Sequence, residues 1–135
     1  MRPAVSSEGS GPALLVVQTS FLGDVVLTTP LLAALRRSAA PRRLAVLVRP
    51  EAEALVAGHP AVDDVLVDDK RGADGGIGGL VRTARRLRHE CFDVAVSPHR
   101  SLRTALVLAG ARIPRRIGFA EARGALLYHE RVHRD

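Results

Sequence analysis

Leu14–Leu32 reads LLVVQTSFLGDVVLTTPLL. Leu14 to Val17 form a continuous apolar run, as a strand buried on both faces does. From about Asp24 to Arg37, Leu27, Leu31, Leu32 and Leu35 recur at helical spacing. Between the two runs lie Thr19, Ser20, Gly23 and Asp24. A buried strand that passes through a short polar joint into an amphipathic helix is the opening of an α/β unit. Pro30 falls within the helical pattern. It either kinks the helix, or opens it as a first helical residue behind a Thr29 cap.

The alternation continues outward. Leu44–Val48 predicts a second strand. Pro50 opens a short helix, Glu51–Ala57, with Gly58 as its stop signal. Val65–Val67 predicts a third strand, and Asp68–Gly79, DDKRGADGGIGG, reads as a Gly-rich loop. Leu80, Ala84, Leu87 and Cys91 then fall at helical spacing, with Arg82, Arg85, Arg86 and Arg88 on other faces. Asp93–Val96 predicts a fourth strand, and Leu102, Ala105, Leu106 and Ala109 another helix. Arg116–Phe119 reads as a fifth strand and Leu126–Tyr128 as part of a last short element. No internal repeat is present. Strand and helix in regular alternation predict an α/β fold, a Rossmann-like parallel sheet with right-handed crossovers.

The chain has 135 residues, enough for one domain. An apolar fraction of 47% supports a packed core, built from Val, Leu and Ala because aromatics are scarce. Residues 1–11, rich in Ser, Gly and Pro, read as a disordered lead-in, leaving 12–135 as the domain. The formal charge is +6, carried by arginine with Lys70 as the only lysine. Such a surface suits an anionic partner or is simply solvated. A single cysteine, Cys91, rules out an intrachain disulfide and fits a reducing compartment. No apolar run approaches the roughly 20 residues of a membrane span. The N-terminus has no apolar segment of the secretory kind.

In parallel α/β sheets, ligands gather at the carboxyl ends of the strands. The residues that follow each strand therefore share one rim: Thr19 to Asp24, Arg49, Asp68 to Arg71, and Ser97 to Arg103. Asp24 and Ser20 have two readings there. Both satisfy free N–H groups at a helix start, or Asp24 faces the rim as a chemical group. The positive helix end favours the carboxylate form, which works against proton uptake by Asp24. In SPHRSLRTAL, Ser97 to Leu106, Arg100 and Arg103 can share a helix face beside His99. Arginine suits phosphate and carboxylate, and a cation at a helix start favours a bound anion there. Surface arginines behind a capping serine are the plainer alternative.

Several chemistries lack their motifs. The first loop has neither G-x-G-x-x-G nor the P-loop pattern, and GADGGIGG matches neither spacing. His59, His89, His99, His129 and His133 are scattered and form no zinc-ligand pattern with Cys91. No G-x-S-x-G elbow is present. A nucleic-acid surface would want stacking aromatics, and the chain has no Trp and one Tyr.

LLVVQTSFLGDVVLTTPLLAALR resembles the opening of the bacterial heptosyltransferases of glycosyltransferase family 9. HPAVDDVLVDD, FDVAVSPHRSLRTALVLAGARIPRRIGF and LLYHERV are similar to later parts of the same N-terminal domain. The SPHRSLR-to-RRIGF segment points to the branch that resembles heptosyltransferase II. The likeness runs from about Ala13 to the last residue.

The resemblance implies the N-terminal half of a GT-B glycosyltransferase. Such enzymes move L-glycero-D-manno-heptose from ADP-heptose to a lipid-linked acceptor, the lipopolysaccharide inner core. They invert the anomeric centre with no bound metal or cofactor. They are cytoplasmic and act at the inner face of the inner membrane. By motif position Asp24 is the implied general base, with Thr19, Ser20 and Gly23 shaping its loop. His99, Arg100 and Arg103 are expected to hold the anionic groups of the acceptor. The ADP-heptose half is expected in a second domain beyond these 135 residues, so the chain alone should transfer negligibly. An alternative is a non-catalytic module that binds anionic glycolipid or a membrane surface. A nucleic-acid partner is not expected.

Overall fold

The structure is a computed structural model that describes residues 11–19, 22–69, 75–97, 102–119 and 130–132. Its strands are β1 (Gly11–Gln18), β2 (Pro41–Val48), β3 (Asp64–Val67), β4 (Val94–Ser97), β5 (Arg115–Phe119) and β6 (Glu130–Val132). Its helices are α1 (Leu22–Ala39), α2 (Glu53–Ala57), α3 (Gly76–Glu90) and α4 (Leu102–Gly110). A 3₁₀ turn, Pro50–Ala52, leads into α2. The strands form one sheet in the order β3-β2-β1-β4-β5-β6, and every neighbouring pair is parallel. This is the Rossmann-like sheet that the alternation predicts.

Side chains of β1 divide the core in two. Ala13, Leu15 and Val17 pack with residues of α3 and α4, including Ala84, Leu87, Ala105 and Leu108. Leu14 and Val16 face the other way, toward Val25 and Leu32 of α1 and Val56 of α2. Alternate residues of a strand point to opposite faces, so a strand covered by helices on both sides must be apolar throughout. The run read from Leu14 to Val17 is therefore the centre of the molecule.

Several boundaries differ from expectation, including that of β2, which begins at Pro41 and not at Leu44. β1 begins at Gly11, one residue inside the expected lead-in, where the Gly11 N–H donates to the Ala40 carbonyl at 2.8 Å. A Cβ there would lie 2.3 Å from the Ala39 carbonyl oxygen, so this close approach requires glycine. α3 begins at Gly76 and not after Gly79. Burial of Gly79 against the domain carries a segment whose glycines locally disfavour a helix. The last strand is Glu130–Val132, and the expected element at Leu126–Tyr128 lies outside the described residues.

Pro30 sits inside α1. It has no N–H to give the Val26 carbonyl four residues earlier. The Thr29 hydroxyl donates to that same carbonyl at 2.7 Å, which fills the gap in the ladder.

Ion pairs hold the amino-terminal end of the sheet. Arg36 donates to the Ala61 carbonyl (2.8 Å), the Pro41 carbonyl (3.2 Å) and Asp63 (2.8 Å). Arg43 pairs with Asp64 and Glu90, each at 2.6 Å, and stacks over the Phe92 ring at 4.7 Å. Burial works to lower the Arg43 pKa, but the hydrogen bonds and charges of Asp64 and Glu90 outweigh it and raise it above the ordinary value.

Candidate functional site

The strand order reverses direction between β1 and β4. The chain leaves β1 for α1 on one face and leaves β4 for α4 on the other. This divergence opens a crevice at the carboxyl ends of β1 and β4, the place where such sheets hold ligands. Thr19 and the first turn of α1 border it on one side, and Ser97 and the first turn of α4 on the other.

Buried polar groups collect at this end. Among the described residues, eight polar or charged side chains are buried: Gln18, Thr19, Thr28, Arg49, Asp68, Thr83, Ser97 and Thr104. Five of them, Gln18, Thr19, Arg49, Asp68 and Ser97, end a strand or directly follow one, and the three threonines Thr28, Thr83 and Thr104 lie on the helices that come next. Burying such groups is costly unless each finds a partner, so a fold that concentrates them has a local use for them. Gln18 Nε2 donates to Thr28 Oγ1 at 3.1 Å, which ties the end of β1 to α1. The Gln18 amide oxygen and Asp68 Oδ1 are also buried and have no hydrogen-bond partner among the described residues.

The expected site residues fall as follows. Thr19 is 1% exposed at the end of β1. Gly23 and Asp24 are the second and third residues of α1. Asp24 thus lies in the first turn of the helix. It is four residues before Thr28, so both occupy one face of the helix. Ser20, His99 and Arg100 lie outside the described residues. Arg103 is in the first turn of α4, and its guanidinium is ion-paired with Asp68, which follows β3. Arg49 pairs with Glu51, two residues further on, at 2.7 Å. No group of three or more His, Cys, Asp or Glu side chains suited to a metal exists among the described residues.

The sequence reading places Thr19, Asp24, Arg49, Asp68 and Ser97 on one rim, and the sheet does bring their backbones to one end. It does not single out Gln18, Thr28 or Thr104. Gln18 ends an apolar strand, and the two threonines lie inside helical patterns. Only the packing shows that all three are buried and that Gln18 meets Thr28.

No protein-family model and no curated protein matches the sequence. Solved structures do. The chain is similar to the glycosyl transferase family 9 protein of Veillonella parvula, with a TM-score of 0.75 and 28% identity over 80% of this chain and 32% of that one. It is similar to the E. coli ADP-heptose lps heptosyltransferase II, with a TM-score of 0.77 and 23% identity over 91% of this chain and 35% of that one. The E. coli heptosyltransferase WaaC with ADP gives a TM-score of 0.73 and 22% identity over 90% of this chain and 40% of that one. The chain spans well under half the length of each. Its fold is the Rossmann-like one found within these glycosyl transferase structures.

Proposed function

We propose that the chain is the acceptor-side half of a family 9 glycosyltransferase that moves heptose from ADP-heptose to a lipid-linked inner-core acceptor. The observation that carries this reading is the set of buried polar residues at the β1/β4 crevice, Gln18, Thr19, Ser97 and Thr104, bordered by the turn of α1 that holds Asp24. In the proposed step the Asp24 carboxylate takes the proton of an acceptor hydroxyl as that oxygen attacks the anomeric carbon. The bond from that carbon to the ADP oxygen breaks, and the configuration inverts. Thr19 and Gly23 shape the loop, together with Ser20. His99, Arg100 and Arg103 hold anionic groups of the acceptor, and no metal or cofactor takes part. The ADP-sugar is held by a second domain. The reaction takes place in the cytoplasm, beside the inner membrane.

The decisive experiment joins this chain to a donor-binding domain of the relatives' kind and follows release of ADP. Asp24→Asn should lower kcat about 100- to 10,000-fold. Unchanged turnover removes Asp24 from the mechanism. The 135 residues alone should transfer negligibly, because positioning a donor can supply about 7–11 kcal/mol of the barrier. The alternative reading is a non-catalytic module that holds anionic glycolipid through Arg100 and Arg103; glycolipid binding by the joined protein with no release of ADP would favour it.

A further inference from the structure

The outer flank of α3 carries an ordered pattern that the crevice does not use. Ile77, Val81, Arg85 and Arg88 recur at i, i+4, i+8 and i+11, which sets them in one stripe along the helix. Ile77 is 83% exposed and Val81 48%. Arg85 and Arg88 are exposed as well. Beside the stripe, on α4, Leu106 is 41% exposed. Between the helices runs a groove of about 250 Å³ lined by Leu80, Val81, Ala84, Arg85, Arg88 and Gly110. Gly110 lets the helices close at its floor, since a Cβ there would meet the Ala84 Cβ at 3.2 Å. The one acidic residue of α3, Glu90, is engaged by Arg43.

We infer that this α3/α4 face docks on an anionic phospholipid surface. Aliphatic side chains standing free of the helix can enter the interfacial region of a bilayer, and guanidinium groups in the same stripe meet lipid phosphates. A stable protein partner would call for a broad patch with aromatic anchors, and this stripe has none. The amino end of α3, with Ile77, lies at the carboxyl end of the sheet. A membrane on this face therefore leaves the crevice beside the bilayer. The docking itself needs neither a donor nor turnover, so it stands or falls separately from the proposed function.

The test is co-sedimentation of the 135-residue chain with vesicles. Vesicles of phosphatidylcholine with roughly one-third phosphatidylglycerol should bind it, and pure phosphatidylcholine vesicles should not. The double variant Arg85→Glu/Arg88→Glu should weaken binding at least about tenfold. Ile77→Ser/Val81→Ser should weaken it several-fold at constant charge. A charge-matched control, Arg37→Glu/Arg42→Glu on other elements, should weaken it far less. Circular dichroism checks that each variant is folded. No binding to anionic vesicles overturns the inference. So does an equal loss in the control pair, which would mean net charge alone. Unchanged binding by Ile77→Ser/Val81→Ser overturns it as well, because the face would then be a general polyanion site.

Discussion

Arg103, in the first turn of α4, is ion-paired with Asp68, the residue that follows β3, across 35 positions of sequence. The carboxylate is 2% exposed and the arginine side chain 22%. The pair links the rim beyond β3 to the crevice beside β4. It also offsets the poor placement of a cation at a helix start. Arg103 is thus a structural tie as well as a candidate contact for the acceptor.

The two ends of that pair should respond unequally. Arg103→Ala leaves a buried carboxylate without its cation and should cost about 3 kcal/mol, at the low end for a broken buried pair because Arg103 keeps some solvent contact. Asp68→Asn leaves a guanidinium that can still reach water and should cost about 1 kcal/mol. Urea unfolding of the two variants measures the difference. Equal losses would show that the pair is no more than a surface contact.

A similar asymmetry applies to Gln18 and Thr28. Thr28→Val removes the acceptor of the Gln18 amide and leaves both ends of that buried amide without a partner among the described residues. The expected loss is about 2 kcal/mol. Gln18→Leu removes the orphaned oxygen together with its donor and should cost much less, about 0.5 kcal/mol. If Gln18→Leu proves the more damaging, the amide oxygen has a partner that matters. A double-mutant cycle would then measure the coupling between the two residues.

Gly11→Ala tests the close backbone approach at the start of β1. The added Cβ would lie 2.3 Å from the Ala39 oxygen and 2.7 Å from the Ala40 oxygen. Both obstacles are backbone, so the start of β1 must shift, at a cost of about 1–3 kcal/mol. Thermal unfolding reads this directly. A variant as stable as the parent would mean that the first pair of the β1/β2 ladder contributes nothing.

Much of the fold is legible because its central strands are buried on both faces. Leu14–Val17 and Leu44–Val48 announce themselves as unbroken apolar runs, and helical periodicity supplies the crossovers between strands. β6 is missed because Glu-Arg-Val at a sheet edge has neither an apolar run nor alternation of useful length. The start of α3 is missed because Gly-Gly-Ile-Gly-Gly is locally a poor helix, stabilised here by the packing of Gly79 and of Ala84 against Gly110. The rim follows from topology once the strands are known. The Arg103–Asp68 pair does not, since no periodicity relates residues on different crossovers. The same holds for Gln18 and Thr28, whose polar atoms meet only when α1 folds back onto β1.

Pro30 gives the last test. A proline within a helix removes one hydrogen bond and crowds the preceding turn, at about 3 kcal/mol in an unrelieved case. Here the Thr29 hydroxyl takes over the Val26 carbonyl, and Val26 is 53% exposed, so water can reach it too. Pro30→Ala should therefore stabilise the chain by less than that, about 1 kcal/mol, after allowance for the freer unfolded chain. Thr29→Ala alone should cost about 0.5–1 kcal/mol. In the Pro30→Ala background it should cost less, because the backbone N–H restored by that substitution then serves the same carbonyl. Chemical denaturation of the two single variants and the double variant decides the point. Additive losses would show that the Thr29 hydroxyl does not substitute for the missing N–H.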